Sequence, residues 1–290
     1  MTNNTHAIED IVLNLALIED LGFPFSDVTT DWLFPDSTQM QVAQIISKHR
    51  EPIVICGLSF IQKLFAKLTP TFTLRTDYQD GDYLAPRQSL LTIEASAQVL
   101  FRAERVVLNF LRHLCAIATL TSAYVARVKT TPLKILDTRK TTPGLRTLEK
   151  HAVYCGGGVN HRMGLYDAIM IKDTHIDALN GMANAMDRLV QSSPMSVPVI
   201  VEVRTVAELE VVLKNAAAKV TRVLLDNMPL AMMQTCVQMC EGLVETEASG
   251  NIHLDNVLAI AQTGVQYASV GALTYQAGQV DLSMYSNFAF

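Results

Sequence analysis

The chain has 290 residues with a hydrophobic content of 49% and a charged content of 18%, so it can bury a large core and is not expected to be disordered. Its formal net charge of −5 argues against a general nucleic-acid surface. No apolar run reaches membrane-spanning length, and the polar N-terminus lacks the pattern of a signal peptide. The five cysteines show no zinc-site spacing, and we predict reduced, mostly buried thiols of a cytoplasmic protein.

The first part of the chain is predicted to mix helices with short strands, as an α+β domain does. Near the N-terminus, apolar side chains recur on one face of an amphipathic helix between Ile8 and Ile18. Short apolar runs typical of strands follow it, with a turn at 80–82. A helical pattern from Val99 to Val128 closes this part, and residues 116–121 suggest a join between two helices.

After Val128 the sequence alternates between strand-like runs and helical patterns, which indicates a parallel sheet with crossover helices. A polar residue or a glycine ends every run, and a β/α barrel carries its chemistry at that end of its strands. An open doubly wound sheet is the alternative, although its function is usually concentrated at one switch point. Six runs predict an incomplete barrel, and they cover residues 133–136, 168–171, 198–203, 222–225, 243–247 and 267–270.

The most informative segment is 135–144, in which a short apolar run ends in four consecutive polar or charged residues. The loop 156–164 and the run 169–172 also carry cations after apolar stretches. Arginine binds carboxylate or phosphate through two parallel hydrogen bonds, and lysine adds a point charge. We therefore predict a site for a small, multiply charged anion, although surface salt bridges would explain any one of these residues. The candidates are Thr138, Arg139, Lys140, His161, Arg162 and Lys172.

Two acids, Glu202 and Asp226, are predicted near the ends of neighbouring strands. Paired carboxylates suit Mg²⁺ held through water, with substrate phosphates completing the shell, and they also stabilise a developing cation. An equally good interpretation is that each acid caps the helix that follows it. The small residues after the last two strands match a barrel phosphate site, in which backbone N–H groups face the anion. These residues are Ser249, Gly250, Asn251, Val270, Gly271 and Ala272.

Two of the cations have alternative explanations. A lysine at the end of a barrel strand forms a Schiff base with carbonyl substrates in aldolases, and Lys172 fits that position. This hypothesis leaves the arginine cluster and the acid pair unexplained. Arg105, within the long helical pattern, is by itself best explained as a helix-surface arginine.

Several segments together resemble the quinolinate phosphoribosyltransferase family, also called nicotinate-nucleotide pyrophosphorylase (carboxylating). The resemblance extends from the N-terminal helix almost to the C-terminus, and the runs 136–144 and 155–164 are its most specific parts. The other matching segments are 104–105, 108–111, 117–119, 171–173, 201–203, 225–228, 247–250 and 269–274.

The resemblance implies a pentosyltransferase of NAD biosynthesis. Quinolinate and phosphoribosyl pyrophosphate would become nicotinic acid mononucleotide, pyrophosphate and CO₂, with Mg²⁺ as cofactor. It implies that Glu202 and Asp226 face the ribose and hold the metal ion through water, and that 249–251 and 270–272 cradle phosphate. The implied catalytic residues are Lys140, Lys172, Glu202 and Asp226. The implied ligands of the quinolinate dicarboxylate are Arg105, Arg139, His161, Arg162 and Lys172, with Lys140 close by.

The resemblance also implies an α/β architecture with two domains. Residues 1–112 would form an N-terminal α+β sandwich domain, and residues 113–275 an incomplete parallel β/α barrel that carries the catalytic site. Residues 276–290 would form a C-terminal tail that packs back on the N-terminal domain. A homodimer with a shared active site is implied, in which Arg105 reaches the partner's site. Neither nucleic acid nor a membrane is expected as a partner.

Some residues depart from the family's usual pattern. Thr174 stands where asparagine is usual, Asn251 where a second glycine is usual, and Tyr275 where histidine is usual. We expect the Asn251 side chain to crowd the phosphate and Tyr275 to remove a cationic contact. Arg204 stands where an acid is common and is expected to be structural, at a helix start. The alternatives are a relative of the same fold acting on another anion, as in molybdenum transport, a non-catalytic nucleotide sensor, and the Schiff-base aldolase.

Overall fold

The computed structural model describes residues 2–35, 39–192 and 196–286. These residues divide into two compact units, and the chain passes from one unit to the other four times. The boundaries predicted at residues 112 and 275 do not include the segment Thr141–Gly157, which belongs to the first unit. Residues 287–290 of the predicted tail lie outside the described residues. The first unit comprises Met1–Ser122, Thr141–Gly157 and Thr274–Phe290, and the second comprises Ala123–Lys140 and Gly158–Leu273.

The first unit contains an antiparallel sheet and a short two-stranded ladder. Its strands are β1 (Met40–Ser47), β2 (Ile53–Val54), β3 (Thr73–Arg75), β4 (Tyr83–Leu84), β5 (Ser89–Ser96) and β12 (Leu282–Ser286). The larger sheet has the order β12-β1-β5-β3, and β2 pairs with β4. Side chains along β1 alternate between exposed and buried, because successive residues of a strand point to opposite faces. One face of this sheet therefore belongs to the core, and the C-terminal strand completes its edge.

The helices of the first unit include one whose apolar face is turned away from the core. They are α1 (Thr2–Leu21), α2 (Val28–Leu33), α3 (Leu58–Leu68), α4 (Ala97–Val128, continuing into the second unit) and α5 (Arg146–Cys155). The predicted N-terminal helix is confirmed as α1, but its buried side chains are Leu13, Leu17 and Leu21. The face that the sequence singled out stays exposed: Ile8, Ile11, Leu15 and Ile18.

The long helix α4 is continuous over 32 residues, so the predicted join near 116–121 is wrong. The hydroxyls of Thr119 and Thr121 donate to the carbonyls of Cys115 and Ile117 at 2.6 and 2.8 Å, so these polar residues are satisfied inside the helix. Among the described helices, α4 is long and apolar enough to cross a membrane by length and composition. Because 56% of its most apolar window is buried, it equally has the character of a core helix.

The second unit contains a six-stranded sheet in which all strands are parallel. Its strands are β6 (Lys134–Leu136), β7 (Ile169–Ile171), β8 (Val199–Val203), β9 (Arg222–Asp226), β10 (Glu245–Ser249) and β11 (Tyr267–Ser269). The order is β6-β11-β10-β9-β8-β7, so the first strand pairs with the last, as in a closing barrel. Within the described residues β6 and β7 do not pair, which leaves the barrel incomplete. The predicted fold class is confirmed.

Helices follow the strands of this sheet, and all but the last of them connect one strand to the next. They are α6 (Asp173–Ala178), α7 (Met182–Gln191), α8 (Val206–Ala216), α9 (Leu230–Cys240), α10 (Val257–Ala261) and α11 (Ala272–Tyr275). All five residues of β8 are buried, as expected for a parallel strand covered on both faces. Because the strands are parallel, all their carboxyl ends lie at one edge of the sheet, and the loops that follow them share that edge.

Candidate active site

The carboxyl edge of the parallel sheet brings together most of the residues predicted from the sequence. Residues 137–140 follow β6, Lys172 follows β7, and Glu202 is the penultimate residue of β8. Asp226 ends β9, and Ser249 ends β10. Arg105 lies on α4 in the first unit and is described separately.

Asp137 fixes the two cation-bearing loops beside each other. Its side chain is fully buried. One carboxylate oxygen accepts a hydrogen bond from the Asn160 amide at 2.8 Å, and the other accepts the backbone N–H of His161, also at 2.8 Å. The backbone of Val159 extends the contact by donating to the Ile135 carbonyl at 2.8 Å. The loop 158–162 is therefore anchored to β6, next to Thr138, whose hydroxyl accepts the Lys140 N–H.

His161 is held by protein groups on both sides of its ring. Only 6% of its side chain is exposed. Nδ1 accepts the backbone N–H of Arg162 at 2.6 Å, so a neutral ring carries its proton on Nε2. Nε2 lies 3.3 Å from Oε1 of the buried Glu247. In this conformation the ring positions the loop, and a direct contact with a ligand would require it to leave Glu247.

Arg139 and Arg162 form the cationic part of the site. Burial lowers the pKa of Arg162, and the positive charge of Arg139 lowers it further, which places the two guanidinium groups within range of each other. Arg162 is oriented by a hydrogen bond to the Ala168 carbonyl at 3.0 Å. An arginine remains charged despite such a shift, which the charge of Asp167 partly offsets, so both groups are able to bind an anion. Lys140 is exposed at the same loop.

Lys172, Glu202 and Asp226 form a mixed group on neighbouring strands. Lys172 Nζ lies 3.4 Å from Glu202 Oε2. Burial raises the pKa of Glu202, Lys172 partly offsets this rise, and the charge of Asp226 adds to it. The carboxylate of Asp226 accepts hydrogen bonds from the Ser249 hydroxyl at 2.6 Å and from the Asn227 amide at 2.9 Å.

Neither acid caps a helix, so the capping interpretation is wrong. Helix α8 begins after Thr205, whose hydroxyl accepts the N–H of Glu208. Helix α9 begins after Pro229, which offers no capping side chain. Arg204 does have the structural role expected of it, because its guanidinium pairs with Glu208 at 3.1 Å at the start of α8.

The turn after β10 has a tight backbone built on left-handed residues. Gly250 and Asn251 have φ angles of 88° and 51°. A Cβ at Gly250 would overlap the side-chain amide of Asn227, so only glycine fits there. The Asn251 amide donates to Asn227 Oδ1 at 3.0 Å. This bond directs the Asn251 side chain to Asn227, and the expected crowding of the phosphate by Asn251 stays a prediction.

The residues predicted to bind phosphate after β11 differ in whether their backbone N–H groups are used by the sheet. Val270 is buried, and its N–H donates to the Leu136 carbonyl at 2.9 Å. The prediction that Val270 offers its N–H to phosphate is therefore wrong, since that group is part of the sheet. Gly271 and Ala272 lie at the start of α11, and Tyr275 is exposed at its end.

Arg105 is exposed on α4 and lines a cavity of about 560 Å³ in the first unit. The polar residues around this cavity include Glu19, Asp20, Asn109 and His113. His113 contacts the buried Glu149 at 2.8 Å. The lining combines Arg105 with two acids and with apolar side chains such as Val106 and Phe110, so the role of Arg105 as a substrate ligand stays a prediction.

Sequence reasoning missed the buried charges that support the site. Glu247 and Arg222 pair at 3.0 Å, and Glu247 also faces His161. The sequence carries only a weak signal for this pair, because β10 is itself largely polar and nothing in its pattern marks Glu247 as buried. Asp137 was recognised only as the end of a strand, although it holds Asn160 and His161.

An incomplete β/α barrel with paired arginines and paired carboxylates at the carboxyl ends of its strands defines an enzyme for small anionic substrates. Comparisons with known proteins narrow this class. The family model "Quinolinate phosphoribosyl transferase, C-terminal domain" matches residues 117–285, and the model of the N-terminal domain matches residues 27–115. The chain therefore belongs to the quinolinate phosphoribosyl transferase family.

Individual relatives support this membership over nearly the whole chain. The tobacco protein "Quinolinate phosphoribosyltransferase [decarboxylating] 1b" (Nicotiana tabacum) is 39% identical over 94% of this chain and 81% of its own length. The "Nicotinate-nucleotide pyrophosphorylase [carboxylating]" of Mycobacterium leprae is 39% identical over 93% of this chain and 94% of its own. A solved nicotinate-nucleotide pyrophosphorylase from Francisella tularensis has a TM-score of 0.87 at 33% identity, covering 97% of this chain and 96% of its own.

Proposed function

We propose that this chain transfers the phosphoribosyl group of phosphoribosyl pyrophosphate to quinolinate. The reaction releases pyrophosphate and CO₂ and gives nicotinic acid mononucleotide for NAD biosynthesis. The observation that carries this proposal is the pair of loops joined by Asp137, which brings Arg139 and Arg162 into electrostatic range of each other. Two guanidinium groups in electrostatic range of each other suit a substrate that carries two carboxylates.

The cations bind and orient quinolinate. Arg139 and Arg162 contact the carboxylates. The ammonium group of Lys172 lies beside Glu202, so it binds quinolinate where the pyridine ring meets the ribose. Lys140 is exposed at the same loop. Its positive charge neutralises the negative charge that develops as pyrophosphate and CO₂ leave. Arg105 supplies a further cation from a partner subunit. In this arrangement His161 acts mainly by holding the loop, through its contacts with Glu247 and Arg162.

Glu202 and Asp226 act on the ribose side. Breaking the glycosidic bond to pyrophosphate creates oxocarbenium character, and fixed carboxylates stabilise it. Their oxygen donors on neighbouring strands also suit Mg²⁺, which prefers oxygen ligands and keeps several waters. We assign Mg²⁺ to these two acids through water, where it would offset the charge of the leaving pyrophosphate. Ser249, Gly250, Asn251, Gly271 and Ala272 line the phosphate side.

The Schiff-base alternative is not favoured by the surroundings of Lys172. A lysine that attacks a carbonyl must be neutral, which usually requires an apolar pocket or a neighbouring cation. Lys172 instead faces the Glu202 carboxylate at 3.4 Å, and 46% of its side chain is exposed. An acid beside the ammonium group favours the charged form, so the residue is suited to binding an anion.

We propose a homodimer that covers the exposed apolar face of the first unit. Ile11 and Leu15 on α1 and Trp32 on α2 are 65%, 64% and 81% exposed, and large apolar side chains exposed to this extent support an interface. Light scattering should give the mass of a dimer. Mixed dimers in which one subunit carries Arg105→Ala and the other carries Glu202→Gln should regain activity at one of the two sites. Activity no higher than that of the separate variants would contradict a shared site.

We also assign the protein to the cytoplasm, with neither a membrane nor nucleic acid as a partner. All five cysteines are free, as expected for a reducing compartment. Fractionation of cells that express the tagged chain should recover it with the soluble fraction, and recovery with membranes would contradict the assignment.

One assay tests the activity directly. The purified chain is incubated with quinolinate, phosphoribosyl pyrophosphate and Mg²⁺, and the products are separated by chromatography. We expect nicotinic acid mononucleotide and CO₂ in equal amounts. Absence of both products, with the protein folded, would overturn the proposed function.

A further inference from the structure

Four side chains that can ligate a metal ion converge in the first unit. The ligand atoms of Cys56, Asp80, His151 and Cys155 all lie within 4.8 Å of one another. Cys56 lies between β2 and α3, Asp80 lies between β3 and β4, and the other two residues lie on α5. None of the four belongs to the candidate active site, and no step of the proposed reaction uses them.

The spacing of the donor atoms is close to that of a tetrahedral site. His151 and Cys155 are four residues apart on α5, so they share one face of the helix. Nε2 of His151 lies 3.5 Å from the Cys155 sulfur and 3.1 Å from Asp80 Oδ2. Ordinary zinc bond lengths in a tetrahedron place such donor atoms about 3.4 to 3.8 Å apart. The cluster thus needs only small adjustments to enclose an ion.

Two neighbouring groups compete for one ring nitrogen in this arrangement. A ring nitrogen carries at most one hydrogen, yet Nε2 of His151 faces both a thiol sulfur and a carboxylate oxygen. The other oxygen of Asp80 accepts the backbone N–H groups of Gly57 and Leu58 at 3.0 and 3.1 Å, which fixes the carboxylate and directs Oδ2 to the cluster. Such outer contacts are typical of residues that ligate a metal ion.

We propose that Cys56, Asp80, His151 and Cys155 form a zinc site. Two sulfurs, one imidazole and one carboxylate suit Zn²⁺ and disfavour Mg²⁺, which prefers oxygen ligands. Four protein ligands complete the coordination shell, so the site is structural rather than catalytic. On binding, both thiols lose their protons to solvent, and no oxidant or reductant is involved.

The site joins three stretches that are distant in the sequence. Cys56 is fully buried, whereas 46% of the His151 side chain is exposed, so the ion enters from the histidine side. A bound ion would tie the start of α3, the turn before β4 and the end of α5 to one point. We therefore expect zinc to raise the melting temperature of the chain.

The first test measures metal content and stability. The full chain is purified in reducing buffer without a chelator, and zinc is measured by elemental mass spectrometry. We expect a single zinc ion per chain, a lower melting temperature after a chelator removes it, and recovery with Zn²⁺ but not with Mg²⁺. Co²⁺ added to the stripped chain should give the visible bands of tetrahedral coordination and a thiolate charge-transfer band.

Variants separate this site from adventitious binding. His151→Gln and Cys155→Ser should each weaken zinc binding by more than about 100-fold, since even outer-shell partners usually change metal affinity by about 10- to 100-fold. Cys236→Ala, at a buried cysteine outside the cluster, is the matched control and should bind zinc as the unchanged chain does. The proposal is overturned if the unchanged chain takes up no stoichiometric zinc after reconstitution. It is also overturned if a variant that carries both His151→Gln and Cys155→Ser binds zinc as tightly as the unchanged chain, or if a Cys56–Cys155 disulfide persists in reducing buffer.

Discussion

Arg139 and Arg162 are two cations in electrostatic range of each other, and the charge of Arg139 lowers the pKa of Arg162. Arg139→Ala should weaken quinolinate binding by about 2–5 kcal/mol, the range usual when one partner of a desolvated charge pair is removed. Calorimetry at fixed ionic strength measures this loss directly. Arg188→Ala, at an exposed arginine of α7, is the control and should leave binding unchanged. Equal affinity of the Arg139 variant and the unchanged chain would remove Arg139 from the site.

Glu202 and Asp226 are placed to act on turnover more than on binding. Glu202→Gln and Asp226→Asn keep the shape of each side chain and remove its charge, so oxocarbenium stabilisation is lost while the quinolinate cations remain. We expect kcat to fall by about 10²- to 10³-fold, the usual effect of removing a preorganised electrostatic partner. Steady-state kinetics with both substrates saturating gives kcat, and calorimetry gives the quinolinate affinity. A variant with unchanged kcat would show that its acid has no catalytic role.

At the scale of elements, a buried ionic network ties three strands of the barrel together. Arg222 on β9 donates to Glu245 and Glu247 on β10, each at 3.0 Å. Its guanidinium also lies 3.7 Å from the ring centroid of Tyr267 on β11. Because Glu247 also contacts the ring of His161, this network connects the sheet to the loop that carries Arg162.

The network predicts a stability that depends on pH. Burial by itself raises the pKa of Glu247, but the neighbouring His161 ring and the charge of Arg222 outweigh it and leave that pKa below its ordinary value of 4.5. The stabilisation is therefore present above that value and is lost as the pH falls through the folded pKa. Glu247→Gln should lower the free energy of unfolding at neutral pH by about 3–5 kcal/mol, since it breaks a buried pair.

Urea unfolding of the second unit, followed at neutral and acidic pH, checks this expectation. The difference between the Glu247 variant and the unchanged chain should shrink at the acidic end. Glu245→Gln is the matched control, because Glu245 binds the same arginine with 38% of its side chain exposed. It should have the smaller effect, since exposed pairs contribute little. A difference for Glu247→Gln that stays constant with pH would contradict the assignment.

For the whole molecule, the sequence was most informative where local pattern and global fold agree. All six predicted strands of the barrel were confirmed, because buried parallel strands are short apolar runs and their ends are marked by polar residues. The join predicted inside α4 was wrong, because the hydroxyls of Thr119 and Thr121 donate to carbonyls of the same helix. The composition of the segment does not reveal these hydrogen bonds. The orientation of α1 was also hidden, since periodicity reveals an apolar face but not what covers it.

Contacts between distant residues were the second limit. The residue types of the candidate site were found from the sequence, but the ring orientation of His161 and the use of the Val270 N–H in the sheet required coordinates. The cluster of Cys56, Asp80, His151 and Cys155 shows the same limit more strongly. Its ligands come from three separated segments, so a search for zinc-site spacing does not detect them.

The choice between quinolinate and nicotinate tests the central claim most directly. Nicotinate has one carboxylate, so a site arranged for two leaves a cation unpaired when it binds, and burying an unpaired charge is costly. The measurement is kcat/KM for each acid, with phosphoribosyl pyrophosphate and Mg²⁺ held constant. We expect quinolinate to be preferred by roughly 10³-fold or more, the scale seen when a polar site loses its partner. Comparable kcat/KM values for the two acids would contradict a site built for a dicarboxylate.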